Sequence, residues 1–376
     1  MSQIVARVGG GVASFDAAEW DACAGSHNPF LSHAFLSALE ESGSATARTG
    51  WQPVPIAIDG PGGKLAAVMP AYLKSHSQGE YVFDHGWASA YERAGGRYYP
   101  KLQIAVPFTP VPGRRLLTAD PHFAQGLIAA AETLVENNAF SSAHATFIDA
   151  DEVPVFERAG WLIRVDSQFH WHNEGFGSFD DFLGSLSSRK RKAIRKERRE
   201  ALDGLTVEHL TGSAITEAHW DAFWGFYQDT GSRKWGRPYL TRRFFSLLGE
   251  RMADRVLLVL ALHEGVPIAG ALNLIGGDTL YGRYWGTTAE VPHLHFEICY
   301  YQAIDAAIAR GLKRVQAGAQ GEHKLSRGYR PVPTFSAHYL RDPQLRSAVA
   351  DFLEAERNAV SHEMEILEAM TPFRKA

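Results

Sequence analysis

Apolar residues recur at intervals of three and four across residues 294–310, where Leu294, Ile298, Tyr301, Ile304 and Ile308 form one stripe. That spacing predicts an amphipathic helix, and Gly311 supplies its end. Residues 313–319 alternate as a short strand does, and Gly318, Gly321 and Gly328 free the next loop to carry Gln320, Glu322, His323 and Lys324. Upstream, the same reading predicts helices at 181–202, 215–231 and 242–252. Three strands follow at 256–263, 267–275 and 279–285, joined at the turns Glu264-Gly265 and Gly276-Gly277-Asp278. The first half of the chain runs in a similar order. Helices are predicted at 14–24 and 32–41, strands at 53–58, 64–73 and 80–87, a helix at 119–138 and a strand at 145–148.

The repeated order implies two copies of one α/β unit, each a mostly antiparallel sheet flanked by helices. A short echo supports it. Gly160-Trp161 and Gly328-Tyr329 each stand at the same distance from a histidine–aromatic pair, His170-Trp171 and His338-Tyr339. The expected division is 1–173, 174–342 and 343–376, the last part being an amphipathic helix that clamps the two units.

At 376 residues the chain exceeds what one hydrophobic core usually serves, about 250–300 residues, which agrees with two units. Apolar content of 45%, charged content of 21% and a formal charge of −4 describe an ordinary globular protein with no overall pull toward nucleic acid or anionic lipid. The N-terminal stretch has no basic region followed by an apolar one, and the longest apolar run, 256–262, is far short of the roughly 18 residues of a membrane span. A cytoplasmic protein without a membrane span is the expectation. Cys23 and Cys299 are too few for a disulfide framework and read as packing residues.

Charge is concentrated at 187–200, where eight basic residues face Glu197 and Glu200. Like charges at helical spacing cost a helix a few tenths of a kcal/mol each, roughly. The run reads either as a solvated face or as a grip on phosphates by Arg189, Lys190, Arg191, Lys192 and Arg195. His293, His295 and Glu297 would share a face only if extended. Pro292 and the helical stripe argue against that two-histidine, one-carboxylate metal site, so no metal is expected. Hydrogen bonding to a substrate, or general-base work by Glu297 or His295, suits them better. Gln316, Gln320, Glu322, His323, Lys324 and Arg327 sit past a strand end, where α/β sites collect. Arg283, Tyr284 and Trp285 end the second meander, and Phe83, Asp84 and Trp87 hold the matching place in the first half.

The runs GVPIAGAL (265–272) and DTLY (278–281) resemble the third and fourth strands of the GNAT acyltransferase fold. HLHFEICYYQAIDAAI (293–308) and QAGAQGEHKLSRGYRP (316–331) resemble the FemAB-like N-acyltransferases, in the branch linked to peptidoglycan biosynthesis and recognition. The resemblance implies an α/β (α+β) fold of tandem GNAT-like units, and a transferase moving an activated acyl or aminoacyl group onto a primary amine. That amine would be a small molecule or nucleotide-linked, on a cell-wall precursor. Residues 289–294 stand where GNAT enzymes carry their pyrophosphate loop, so acyl-CoA and aminoacyl-tRNA both remain open as co-substrates, none tightly bound, with tRNA a candidate partner. Within that chemistry Glu297 or Glu322 is the base. Lys324, which resembles the Fem lysine, and His323 steady the oxyanion, and Tyr300, Tyr301 or Tyr329 protonates the leaving group. Arg283, Tyr284, Trp285, His293, His295, Gln316, Gln320, Arg327 and Tyr329 would contact substrate. The alternative is a non-catalytic protein that recognises a cell-wall precursor or RNA with the same cleft.

Overall fold

The apolar run at 256–262 becomes a buried strand, as a run with no polar face must when both sides of a sheet are covered. A computed structural model describes residues 5–235, 238–318 and 321–374. It divides into two compact units, 1–166 with 333–362 and 167–332 with 363–376.

The first unit opens with β1 (Ala6–Val8), α1 (Ala17–Ala24) and α2 (His33–Glu41). Asp16 and Ser32 cap the two helices by accepting from Glu19 and Phe35 backbone N–H groups. Strands β2 (Trp51–Pro53), β3 (Ile56–Asp59), β4 (Leu65–Met69) and β5 (Ala71–Lys74) follow. Then come α3 (His85–Arg93), β6 (Lys101–Ile104), α4 (Pro121–Asn137), β7 (Ser142–Ile148), α5 (Val153–Arg158) and β8 (Leu162–His172). β6 and β7 are parallel, joined by α4, while β5 pairs with β2 and β6 antiparallel; β1, β3 and β4 form a small separate sheet. The core sets Leu127, Ile128, Ala131 and Val135 of α4 against Leu102, Ile104, Ala143 and Ala145.

The second unit contains α6 (Phe179–Ser185), α7 (Ser188–Ala201), β9 (Leu205–Leu210), α8 (Glu217–Trp235) and α9 (Arg242–Met252). β10 (Val256–His263), β11 (Val266–Gly276) and β12 (Thr279–Thr287) form the antiparallel meander. α10 (Leu294–Phe296), a π-helical turn at Glu297–Tyr301 and α11 (Gln302–Ala309) lead to β13 (Arg314–Gln316), which lies parallel to β12 and antiparallel to the end of β8. β14 (Arg330–Leu340) and α12 (Pro343–Ala369) complete the chain. Each unit thus repeats a mostly antiparallel sheet with one parallel pair bridged by a helix. The expected tandem α/β class is the one observed.

Several elements differ from the sequence reading. Residues 80–87 form no strand: Glu80 and Asp84 are buried against Lys101, and Trp87, Ala88 and Tyr91 take helical spacing on one side of α3. The third long-sheet strand is β6 instead. β8, β9 and β14 went unpredicted, and the helix expected at 181–202 breaks at Leu186 and Ser187. The chain leaves the first unit inside β8 rather than at 173. Residues 333–340 return to it because β14 pairs with β7 there. α12 sends Leu345, Val349 and Leu353 into a cluster of the first unit and Leu367 into the core of the second. Among the described residues no helix is long and apolar enough to cross a membrane.

Gly286 on β12 lets the α8 backbone approach closely: a Cβ there would lie 2.1 Å from the Phe226 carbonyl oxygen. Backbone cannot swing aside as a flexible side chain can, so Gly286→Ala should cost about 1–3 kcal/mol, the usual range for overpacking. An unchanged midpoint in urea unfolding would refute this close contact.

Candidate active site

β12 and β13 run together from Thr279 opposite Arg314 to Tyr281 opposite Gln316; β13 then stops while β12 continues to Thr287. Between β11 and β12 the register shifts, Leu272 facing Tyr284 and Asn273 facing Gly282, so Arg283 is an extra residue on β12. Such a bulge re-aims a side chain beside a strand end. A pocket of about 120 Å3 opens there, its lining including Asn273, Gly282, Arg283 and Tyr284 on the sheet side, Cys299 and Tyr300 on the helix side, and Trp285, His295 and Ala317.

The π-helical turn decides what the helix presents. Cys299 and Tyr300 face the pocket, whereas Glu297 and Tyr301 meet α7: Arg198 donates to both Glu297 oxygens at 3.1 and 2.9 Å, and Tyr301 donates to Glu197. Glu297 is fully buried and also accepts from Gln302 Nε2 at 2.6 Å. Burial pushes its carboxyl above the usual range, and Arg198 pulls the other way. The carboxylate expected to be a base is therefore held in an ion pair away from the pocket.

Lys324 sits on a short 3-10 turn, Glu322–Arg327, with 1% of its surface exposed. Its Nζ donates to the Gly318 carbonyl at 2.8 Å, next to Ala317 on the pocket wall. Burial lowers its pKa to about 7, the Arg283 charge adds to the fall, and Cys299 opposes it. His323 is exposed; its Nε2 lies 2.8 Å from the Tyr300 hydroxyl and its ring 6.0 Å from His295. Tyr329 is wholly buried 5.6 Å from the Tyr300 ring, and its hydroxyl has no hydrogen-bond partner among the described residues. Arg327 lies over Phe296 at 3.4 Å and donates to Glu197 at 2.9 Å, sharing that carboxylate with Tyr301.

The pocket thus gathers Arg283, Tyr284, Trp285 and His295, with His323 joined to it through Tyr300 and Lys324 through Gly318; at the β13 end Gln316 has a buried Oε1 that meets no donor among the described residues. Glu297 and Tyr301 point elsewhere. His293, in a left-handed conformation, lies 3.4 Å from Glu200 and lines an adjoining groove of about 540 Å3 that shares Trp285 and His295 with the pocket. His293, His295 and Glu297 have three different sets of partners, so they form no common ligand set. Gln320 lies outside the described residues, as does the Glu322 side chain. On α7, Arg195 pairs with Asp180 at 2.8 Å and Arg191 reaches Ser188; Arg189, Lys190 and Lys192 make no ion pair among the described residues. Sequence reasoning missed Asn273, a polar residue between Leu272 and Leu274 in an apolar strand, and took Cys299 for packing although it lines the pocket.

A family model described as FemAB-like, peptidoglycan biosynthesis/recognition, matches residues 11–375. The chain belongs to the FemAB-like family. The FemAB-like chain is 28% identical over 195 residues to a protein of Mycobacterium tuberculosis named putative 8-amino-7-oxononanoate synthase 2; the match covers 50% of this chain and 24% of that one. The chain therefore spans about a quarter of the length of this curated relative. Among solved structures it is similar to FemX, with TM-score 0.56, 13% identity, 89% of this chain and 98% of the other covered. It is also similar to the C-terminal domain of a putative lysylphosphatidylglycerol synthetase from Agrobacterium fabrum, with TM-score 0.51, 11% identity and coverage of 86% and 96%. At such identities the FemAB-like chain shares the fold with these proteins.

Removing one member of a buried ion pair costs about 3–5 kcal/mol. Because Arg198 keeps Asp305 at 2.7 Å, Glu297→Ala should fall at the lower end, about 3 kcal/mol, in denaturant unfolding. A variant as stable as the parent but without turnover would instead restore Glu297 as the base.

Proposed function

We propose that the second unit is an N-acyltransferase that moves an activated acyl or aminoacyl group onto a primary amine, with a cell-wall precursor as the acceptor class. The observation that carries this reading is Lys324: an amine with its pKa near 7, 1% exposed, beside a pocket where two parallel strands part. Acyl transfer needs a group that takes a proton from the attacking amine and returns one to the leaving group, and a pKa near the working pH serves both. In this reading the protonated ammonium stabilises the oxyanion of the tetrahedral intermediate, and the Tyr300–His323 pair supplies a second donor. Glu297 holds Arg198 and thereby the helix; it takes no proton in this scheme.

The family description supports a cell-wall role, and the fold shared with FemX and with a domain of a putative lysylphosphatidylglycerol synthetase agrees with this reading. The donor is acyl-CoA or an aminoacyl-tRNA. Arg189, Lys190 and Lys192 on α7, which make no ion pair among the described residues, provide the charge to hold the phosphates of either.

Lys324→Ala should lower turnover about 100-fold, the usual loss on removing one oxyanion donor, while ligand affinity changes little. The assay offers aminoacyl-tRNA and acetyl-CoA as donors with a cell-wall peptide bearing a free amine. Full activity in the variant would overturn the reading, and ligand binding without turnover in the unmodified protein would favour a recognition protein. The rate of the unmodified enzyme should rise with pH around 7, as Lys324 loses its proton in the complex.

For the basic helix, replacing Arg189 and Lys192 with Gln should flatten the salt dependence of tRNA binding by about 1.5 in the log–log slope, two phosphate contacts at about 0.7–0.9 each. An unchanged slope would leave α7 as a solvated face.

A further inference from the structure

The pocket holds two groups that a direct transfer to an amine does not use. One is Cys299, half-buried on the helix wall. The other is Asn273, 1% exposed on the sheet side. Its Nδ2 donates to the Leu257 and Ala271 carbonyls, both at 3.3 Å, which leaves Oδ1, beside Gly282 on the pocket wall, with no donor among the described residues. A buried carbonyl without a donor is costly, so its presence at a pocket wall points to a ligand that brings an N–H group. Lys324 donates to the Gly318 carbonyl, next to Ala317 on the wall of the same pocket.

We propose, resting on the acyltransferase reading above, that Cys299 is a nucleophile that carries the acyl group as a thioester between donor and amine, and that Asn273 Oδ1 receives the incoming amine. In the first half, the Cys299 S–H proton passes to neutral Lys324 and the sulfur attacks the donor carbonyl. The C–S bond forms, the carbonyl carbon's bond to the donor oxygen or sulfur breaks, and the leaving group takes the proton from Lys324. In the second half, the amine attacks the thioester and gives its proton to Lys324. The C–N bond forms, the C–S bond breaks, and the thiolate recovers a proton from Lys324. No oxidant, reductant or further reactant enters. A thiolate made by a neighbouring base is the usual route to a competent cysteine nucleophile.

The test uses the full chain with the S-acetyl and S-alanyl thioesters of N-acetylcysteamine as probes, read by intact-protein and peptide mass spectrometry. The expected result is an acyl adduct on the Cys299 peptide that neutral hydroxylamine removes and that Cys299→Ala and Cys299→Ser do not show as a thioester. In parallel, iodoacetamide at pH 7 should alkylate Cys299 at least 10-fold faster than Cys23, which is buried and carries a raised pKa, and Lys324→Met should remove that advantage. No adduct, an adduct on another residue, or alkylation indifferent to Lys324→Met each overturns the relay. Its failure is distinct from failure of the acyltransferase reading: Cys299→Ala with full turnover alongside an inactive Lys324→Ala would remove the thioester and leave direct transfer standing.

Discussion

The bidentate grip of Arg198 on Glu297 sets the rotation of the segment that everything else at the site relies on. Both groups are largely out of water, where a carboxylate or guanidinium alone is costly, so the pair holds only in the arrangement that satisfies Glu297 from Arg198 and Gln302 and Arg198 from Asp305 as well. With Glu297 turned to α7, the π-helical turn directs Cys299 and Tyr300 to the opposite side. Tyr301 and Arg327 converge on Glu197 and tie the 3-10 turn that bears Lys324 to the same helix. One carboxylate–guanidinium pair thereby positions groups contributed by the helix and the following loop.

α7 consequently presents two different faces. Arg198 and Glu197 work inward, alongside buried Ile194 and Ala201, and Arg189, Lys190 and Lys192 remain outward. The charge run looked uniform in sequence because charge carries no direction until the helix is packed. Among its members, the one with the deepest structural role, Arg198, was outside the set expected to bind phosphate.

The first unit has a comparable buried network put to a different use. Lys101 donates to Glu80 at 2.7 Å and to Asp84, Tyr98 donates to Asp84 at 2.7 Å, and His144 and His338 face one another at 2.8 Å. These groups explain why residues 80–84 cannot form the alternating strand that their sequence suggested: charged side chains at 80 and 84 are both drawn inward to one lysine.

Periodicity was enough to set the class of the protein. The stripe from Leu294 to Ile308, the meander at 256–285 and the similar order of the first half predicted tandem α/β units, and those local patterns survive packing because a 3.6 or 2.0 repeat is a property of the backbone. The loop at 316–329 was also legible, since clustered glycines and mixed charges mark a shaped segment. What the sequence could not carry was direction. Glu297 and Tyr300 are neighbours in the same helix pattern, yet one belongs to an ion pair and the other to a pocket, because the π turn and the partners on α7 decide which way each faces. Lys324 acquires its depressed pKa from burial beneath surrounding chain and from the nearby Arg283 charge, and Asn273 and Cys299 become neighbours of a pocket only when β11 and the helix are brought together. Desolvation and long-range juxtaposition are tertiary quantities, and no local pattern contains them.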